Sequence, residues 1–279
     1  MELVGAGAAR RRGGQRSVAT SVGLLMVALA GALMMGGCGT VVTRRGSGTT
    51  PDAHLAAKIV AYSTSSDSVP NAPRQPLTIS ATCPAGEQMI GGGFAATDVF
   101  EYAAFITASY PSGPASWTVV GSSISRFTLG VTIYCLRAGF SLGVRVAQGG
   151  VDGASQGYAA CPTGTALVSG GFRSTAPVDT SMPRDNGWAI ASSDTTTRAY
   201  ALCAAGHVRA AAPARVSFTL HATTNGFQPE AFHVACPVGQ VVGGGFSSPF
   251  LALSSTANAS DFSGWSLVAG GDGDGMLMA

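Results

Sequence analysis

Cys83-Pro84-Ala85-Gly86, followed by Gly91-Gly92-Gly93-Phe94, then Trp117, then Cys135, is a phrase that the chain repeats. Cys161-Pro162-Thr163-Gly164 leads to Gly170-Gly171-Phe172, Trp188 and Cys203. Cys236-Pro237-Val238-Gly239 leads to Gly243-Gly244-Gly245-Phe246 and Trp265, and the chain ends without a second cysteine in this unit. The leading cysteines stand 78 and 75 residues apart, so one supersecondary unit of that length occurs three times.

Inside each unit the apolar residues recur with period two. Phe127, Leu129, Val131, Ile133 and Cys135 alternate with Thr128, Gly130, Thr132 and Tyr134; Val216, Phe218 and Leu220 alternate with Ser217, Thr219 and His221. That is the pattern of half-buried strands. Turn signals such as Tyr110-Pro111-Ser112-Gly113 and Asp185-Asn186-Gly187 break the chain every ten residues or so. The expected fold is all-β, three tandem antiparallel units of five or six strands in a pseudo-threefold arrangement. In each unit one strand leads in, a second ends on Cys-Pro, a third holds Gly-Gly-Phe, and a fourth precedes a turn. A fifth begins at Trp and the last ends on the closing Cys. Pro after Cys ends a ladder because it has no N–H to donate, and Gly two residues further on permits a positive φ. The paired glycines before Phe94, Phe172 and Phe246 leave room for another backbone or a large ring, and Trp117, Trp188 and Trp265 are the natural rings. These six aromatics are the expected anchors of the repeat, and a tryptophan at one recurring place suits a core position better than a sugar platform. The aromatics that do not recur, Phe100, Tyr102, Phe105, Tyr110 and Phe250, are the better places to seek a specific site.

The amino terminus has a different character. Arg10, Arg11, Arg12 and Arg16 precede an uncharged stretch, residues 17–37, centred on Leu24-Leu25-Met26-Val27-Ala28-Leu29-Ala30 and closing on Gly36-Gly37-Cys38. A basic region, an apolar region and small residues form a targeting segment. The small residues before Cys38 resemble the lipobox of bacterial lipoproteins, which implies cleavage before Cys38, a lipid on its sulfur and membrane attachment on the extracytoplasmic side. The expected organisation is a signal segment 1–37, a tether 38–57 and one domain 58–279, divided into units 58–138, 139–206 and 207–279. A flexible chain of the tether's length spans roughly 25 Å.

Removing residues 1–37 takes four arginines and Glu2 from the 16 basic and 14 acidic residues and leaves a near-neutral chain with one lysine, Lys58. Nucleic-acid binding has no electrostatic support in such a surface. Cys83 with Cys135 and Cys161 with Cys203 bracket their units alike, so these are the expected disulfides, closing loops of 52 and 42 residues. Such bridges belong to an oxidising compartment. By the same count Cys236 has no closing partner in its unit and is expected to be unpaired, beside a short or frayed last strand.

The repeat pattern resembles that of secreted proteins and lipoproteins of high-GC bacteria, a resemblance that implies no particular activity. More faintly it is similar to the vitelline membrane outer layer protein family, which implies a β-prism of three antiparallel sheets and transfers no functional residue.

Catalytic and metal-binding patterns are sparse. His54, His207, His221 and His233 do not cluster in sequence, and CxxC or Cys/His spacings suited to zinc are missing. Gly153-Ala154-Ser155-Gln156-Gly157 has the letters of a nucleophile elbow but leads into a strand rather than a helix. Gly270-Gly271-Asp272-Gly273-Asp274-Gly275 is a single copy of a calcium-like phrase whose last position is Gly instead of Asp. No cofactor and no metal are expected, and no enzyme. The functional expectation is a membrane-anchored extracytoplasmic module with a structural or binding role at the cell envelope and an envelope glycan or protein as partner. The alternative is a carbohydrate- or cell-wall-binding protein.

Overall fold

The computed structural model describes residues 59–67, 75–97, 104–150, 156–194, 196–205, 214–220, 229–236, 240–247, 251–258 and 260–279. These contain eighteen strands, six from each unit. Unit one supplies β1 (Ile59–Asp67), β2 (Leu77–Thr82), β3 (Gln88–Thr97), β4 (Ala104–Gly113), β5 (Ser116–Ser123) and β6 (Thr128–Leu136). Unit two supplies β7 (Val144–Gly150), β8 (Gln156–Ala160), β9 (Thr165–Arg173), β10 (Val178–Arg184), β11 (Gly187–Ser192) and β12 (Arg198–Ala205). Unit three supplies β13 (Arg215–Leu220), β14 (Glu230–Ala235), β15 (Gly245–Ser247), β16 (Leu251–Ala257), β17 (Gly264–Gly270) and β18 (Gly273–Met278).

The strands form three six-stranded sheets, ordered β2-β5-β4-β9-β12-β7, β8-β11-β10-β15-β18-β13 and β14-β17-β16-β3-β6-β1. Each sheet therefore takes the second, fifth and fourth strands of one unit and the third, sixth and first of another. Unit one shares a sheet with unit two, unit two with unit three, and unit three with unit one, so the arrangement closes on itself as a β-prism does. At every seam the register is the same: Ser109 lies opposite Phe172, Ser181 opposite Phe246, and Ser255 opposite Phe94. All pairings are antiparallel.

The core lies between the sheets. Phe94, Phe172 and Phe246 meet edge to face, with ring centroids 6.1, 6.3 and 6.5 Å apart and interplanar angles of 78–89°, the geometry that brings a ring's positive edge to a neighbour's negative face. Behind them Trp117, Trp188 and Trp265 are 1–2 % exposed. Gly86 and Gly164, the glycines of the first two Cys-Pro-x-Gly turns, have φ of 83° and 82°, as a turn after a proline-terminated strand requires.

Two expectations are corrected here. The last strand of unit three is short, as expected, but it is not frayed. Although β18 has six residues against nine in β6 and eight in β12, it pairs with β13 and β15 on its two sides and buries Leu277 and Met278, with Ala279 buried just after it. At Gly275 the ring of Phe218 occupies the place that a Cβ would need. The second correction is that Cys236 carries no free thiol: it is disulfide-bonded.

Candidate functional site

The residues that recur are used by the fold. Each tryptophan Nε1 donates a 2.9 Å hydrogen bond to a buried serine, Trp117 to Ser109, Trp188 to Ser181 and Trp265 to Ser255. One glycine of each pair lies under its own unit's tryptophan: a Cβ on Gly92, Gly170 or Gly244 would enter the ring of Trp117, Trp188 or Trp265. The next glycine meets the neighbouring unit. A Cβ on Gly93, Gly171 or Gly245 would strike the carbonyl oxygen of Ser255, Ser109 or Ser181. Ring and backbone thus each claim one glycine of the pair. A tryptophan held in this way has no face to offer a sugar, so the platform reading falls. The three serines escaped the sequence reading, although a serine stands 8, 7 and 10 residues before the three tryptophans.

The cysteine bridges join Cys83 to Cys135 and Cys161 to Cys203, with Cα atoms 5.8 and 5.5 Å apart. Each ties the end of a unit's second strand to its sixth, which lies in a different sheet. Cys38 and the apolar segment before it lie outside the described residues.

The cavity at the pseudo-threefold axis, lined by Phe94, Phe172, Phe246 and the three serines, measures about 10 Å³, room for about one water molecule. It is no site for an organic ligand. Among the described residues no three His, Cys, Asp or Glu side chains converge. Asp274 of the calcium-like phrase begins no loop. It lies in β18 and accepts a 2.7 Å hydrogen bond from the Thr219 hydroxyl across the β13 ladder. Gln156 and Gly157 of the elbow-like phrase lie in strand β8. His233 is exposed on β14, 3.1 Å from the Ser266 hydroxyl.

One cluster breaks the threefold pattern. On the outer face of the first sheet Tyr110 of β4 stacks on Tyr200 of β12, with centroids 5.2 Å apart and planes at 29°. The guanidinium of Arg173, in β9 between them, sits 5.7 Å from the Tyr110 centroid, a cation–π distance. Arg173 lies directly opposite Arg198 of β12 in the ladder, and both are exposed. Like charges directly opposite on a strand pair repel, and among the described residues neither arginine has a carboxylate within ion-pairing distance. Asp194, four residues before Arg198, is engaged elsewhere. It accepts from the Thr175 hydroxyl and N–H and from the Thr196 hydroxyl and N–H, which hold its carboxyl below the usual carboxylate range. Burial raises the Tyr200 phenol pKa, and Arg173 opposes the rise.

The repeat shows that the fold does not need this cluster. At the position of Tyr110, after the seam serine, the other units have Met182 and Thr256. At that of Arg173, after the axial phenylalanine, they have Ala95 and Ser247. Of the five aromatics singled out because they do not recur, Tyr110 belongs to the cluster and Phe105 is half-buried in β4. Phe100, Tyr102 and Phe250 lie outside the described residues. Arg173, Arg198 and Tyr200 were missed. The signal for Arg173 was in the sequence, as a charge following Gly-Gly-Phe in one unit only.

No family model matches the chain, and no curated protein matches it significantly.

Proposed function

We propose that the chain is an extracytoplasmic structural or binding module of the cell envelope, held at the membrane by its amino-terminal segment, with the Arg173–Arg198–Tyr110–Tyr200 face as its binding surface. The observation that carries the binding role is the cluster itself. Two arginines face each other without a carboxylate partner among the described residues, at positions where the other units need nothing of the kind. The two disulfides fit an oxidising compartment, and the uncharged stretch 17–37 behind four arginines supports export and attachment.

The size of the cluster selects its partner. Attraction to an anionic membrane surface is worth about 1 kcal/mol per basic residue and takes clusters of roughly four to eight. A duplex-binding surface neutralises about six to ten phosphates. Two arginines suit one or two acidic groups, as on an acidic envelope polysaccharide, and the guanidinium fork matches a carboxylate or phosphate with two parallel hydrogen bonds. The carbohydrate reading therefore moves from the tryptophans to the arginines.

The purified domain should co-sediment with cell-wall polymer that keeps its acidic groups, and lose at least tenfold in affinity in the Arg173→Gln/Arg198→Gln variant. Arg215→Gln, in another sheet, should bind as the parent does. Retention by wall stripped of acidic groups, or an unaltered double variant, would end the assignment of this face. Fractionation of cells tests the location separately.

A further inference from the structure

Arg173 and Arg198 face each other in the β9–β12 ladder, so both side chains rise from one face of the sheet. A directly opposed pair has its Cβ atoms about 4.5–5.5 Å apart. The Arg173 guanidinium is held over the Tyr110 ring and also hydrogen-bonds Tyr200, which is 4 % exposed and forms the floor between the arginines. Burial raises the Tyr200 phenol pKa, and Arg173 and Arg198 both oppose the rise, so two positive charges bear on one spot. Beyond Arg198 the same face continues onto the edge strand β7, where Gly150 lies opposite Arg198 and Gln148 opposite Tyr200. Among the described residues no atom lies within 4 Å of the place a Cβ on Gly150 would take. Gln148 is exposed. The ground beside the arginine pair is therefore open on the β7 side.

We propose that the acidic group received here is a phosphomonoester dianion, taken by both guanidinium groups at once, with the sugar that bears it lying over Gly150 and Gln148. This deepens the acidic-polysaccharide reading of the face and rests on it. Charge decides between the acidic groups. A carboxylate or a phosphodiester brings one negative charge and leaves one arginine uncompensated. A phosphomonoester carries about 1.5 to 2 negative charges at pH 7 and three acceptor oxygens, which match two cations and two planar forks. Tyr110 and Tyr200 fix Arg173 before the ligand arrives, which lowers the cost of ordering it. Gln148 offers amide donors and an acceptor to sugar hydroxyls, and Gly150 leaves the ring room.

Titration of the purified full chain with methyl phosphate, dimethyl phosphate and acetate, followed by NMR, tests the charge. At pH 7 methyl phosphate should bind about tenfold more tightly than the other two, as one further charge-assisted hydrogen bond requires. Between pH 7 and pH 5 its affinity should fall about tenfold, because its second pKa is near 6. The described groups around the site do not titrate in that interval. Phenols and guanidinium groups change charge well above it; β4 brings Tyr110, β9 Arg173, β12 Arg198 and Tyr200, and β7 only Gln148 and Gly150. The Asp194 carboxyl is held below the usual range by Thr175 and Thr196. Equal binding of dimethyl phosphate or acetate, or an affinity unchanged at pH 5, overturns the dianion and leaves the polysaccharide reading standing. Gly150→Leu should keep the methyl phosphate affinity and lose most of the polymer binding; polymer binding that persists overturns the place given to the sugar. Methyl phosphate and polymer both retained by Arg173→Gln/Arg198→Gln would overturn the two readings together.

Discussion

Two kinds of buried serine separate the residues that build this fold from those it tolerates. Ser181 accepts the Trp188 N–H, and Ser181→Ala would leave a buried donor without a partner. The expected cost is about 1–3 kcal/mol, read as a lower urea midpoint with an unchanged slope. Ser169 stands where the other units have Gly91 and Gly243, and its hydroxyl is buried with no hydrogen-bond partner. Ser169→Ala should therefore stabilise, by about 1 kcal/mol, in the same assay. Gly170→Ala must cost more than Ser181→Ala, because the added methyl meets the Trp188 ring instead of open space. Tyr134 gives the pH dependence. It is fully buried, and its oxygen accepts the Ala257 N–H at 2.7 Å. Burial pushes its phenol far above the ordinary value, with the Ala257 hydrogen bond a smaller, opposing effect. The unfolded phenol titrates near pH 10, so the stability Tyr134 contributes is whole below about pH 10 and is lost as pH rises beyond it. Tyr134→Phe should flatten this alkaline decline in an equilibrium unfolding series and lower stability at neutral pH by orphaning the Ala257 N–H.

At the scale of strands the sequence was legible wherever the period was two and a proline, glycine or cysteine marked an end. The six strands of a unit came out in their observed order, down to the strand that starts beside Trp. Partners were not legible. Alternation says which face of β4 is buried, but not that its seam neighbour is β9 of the next unit, because that choice is made by contacts sixty and more residues apart, such as Ser109 opposite Phe172. The sixth strand of unit three was misjudged for a related reason. Gly273-Asp274-Gly275 looks unfit for a ladder on propensity, but β13 pairs with all three residues and Phe218 fills the space above Gly275. Tertiary contact overrides propensity there. The Tyr110–Arg173–Arg198–Tyr200 cluster was unreadable for the same cause, since its members come from three strands and two units. The disulfides were readable because each bracket lies within one unit. The Cys161–Cys203 bridge, joining β12 to the end of β8, restrains a loop worth about 4 kcal/mol of closure entropy. Cys161→Ser/Cys203→Ser should fall in melting temperature accordingly, as calorimetry would show, while keeping its sheet content.

The whole molecule differs from a stack of repeats in having no end. In an open array each repeat touches its neighbours only, so removing the last one leaves the others nearly as stable as before. Here unit three pairs with unit two through β10 and β15 and with unit one through β16 and β3. Deleting residues 207–279 would take six strands from two different sheets, expose the edges of β3 and β10, and leave Phe94 and Phe172 without Phe246. Bare edges of this kind recruit other chains. The fragment ending at residue 206 should accordingly show no cooperative urea transition of its own and should elute as oligomers. Adding residues 207–279 as a separate chain should restore a monomer-sized complex with one transition, because the seams are sheet pairings that need no peptide link at 206. A fragment that unfolded cooperatively as a monomer, retaining two thirds of the parent's stability, would mean that the units stack in a line and that the closing seam between β16 and β3 contributes little.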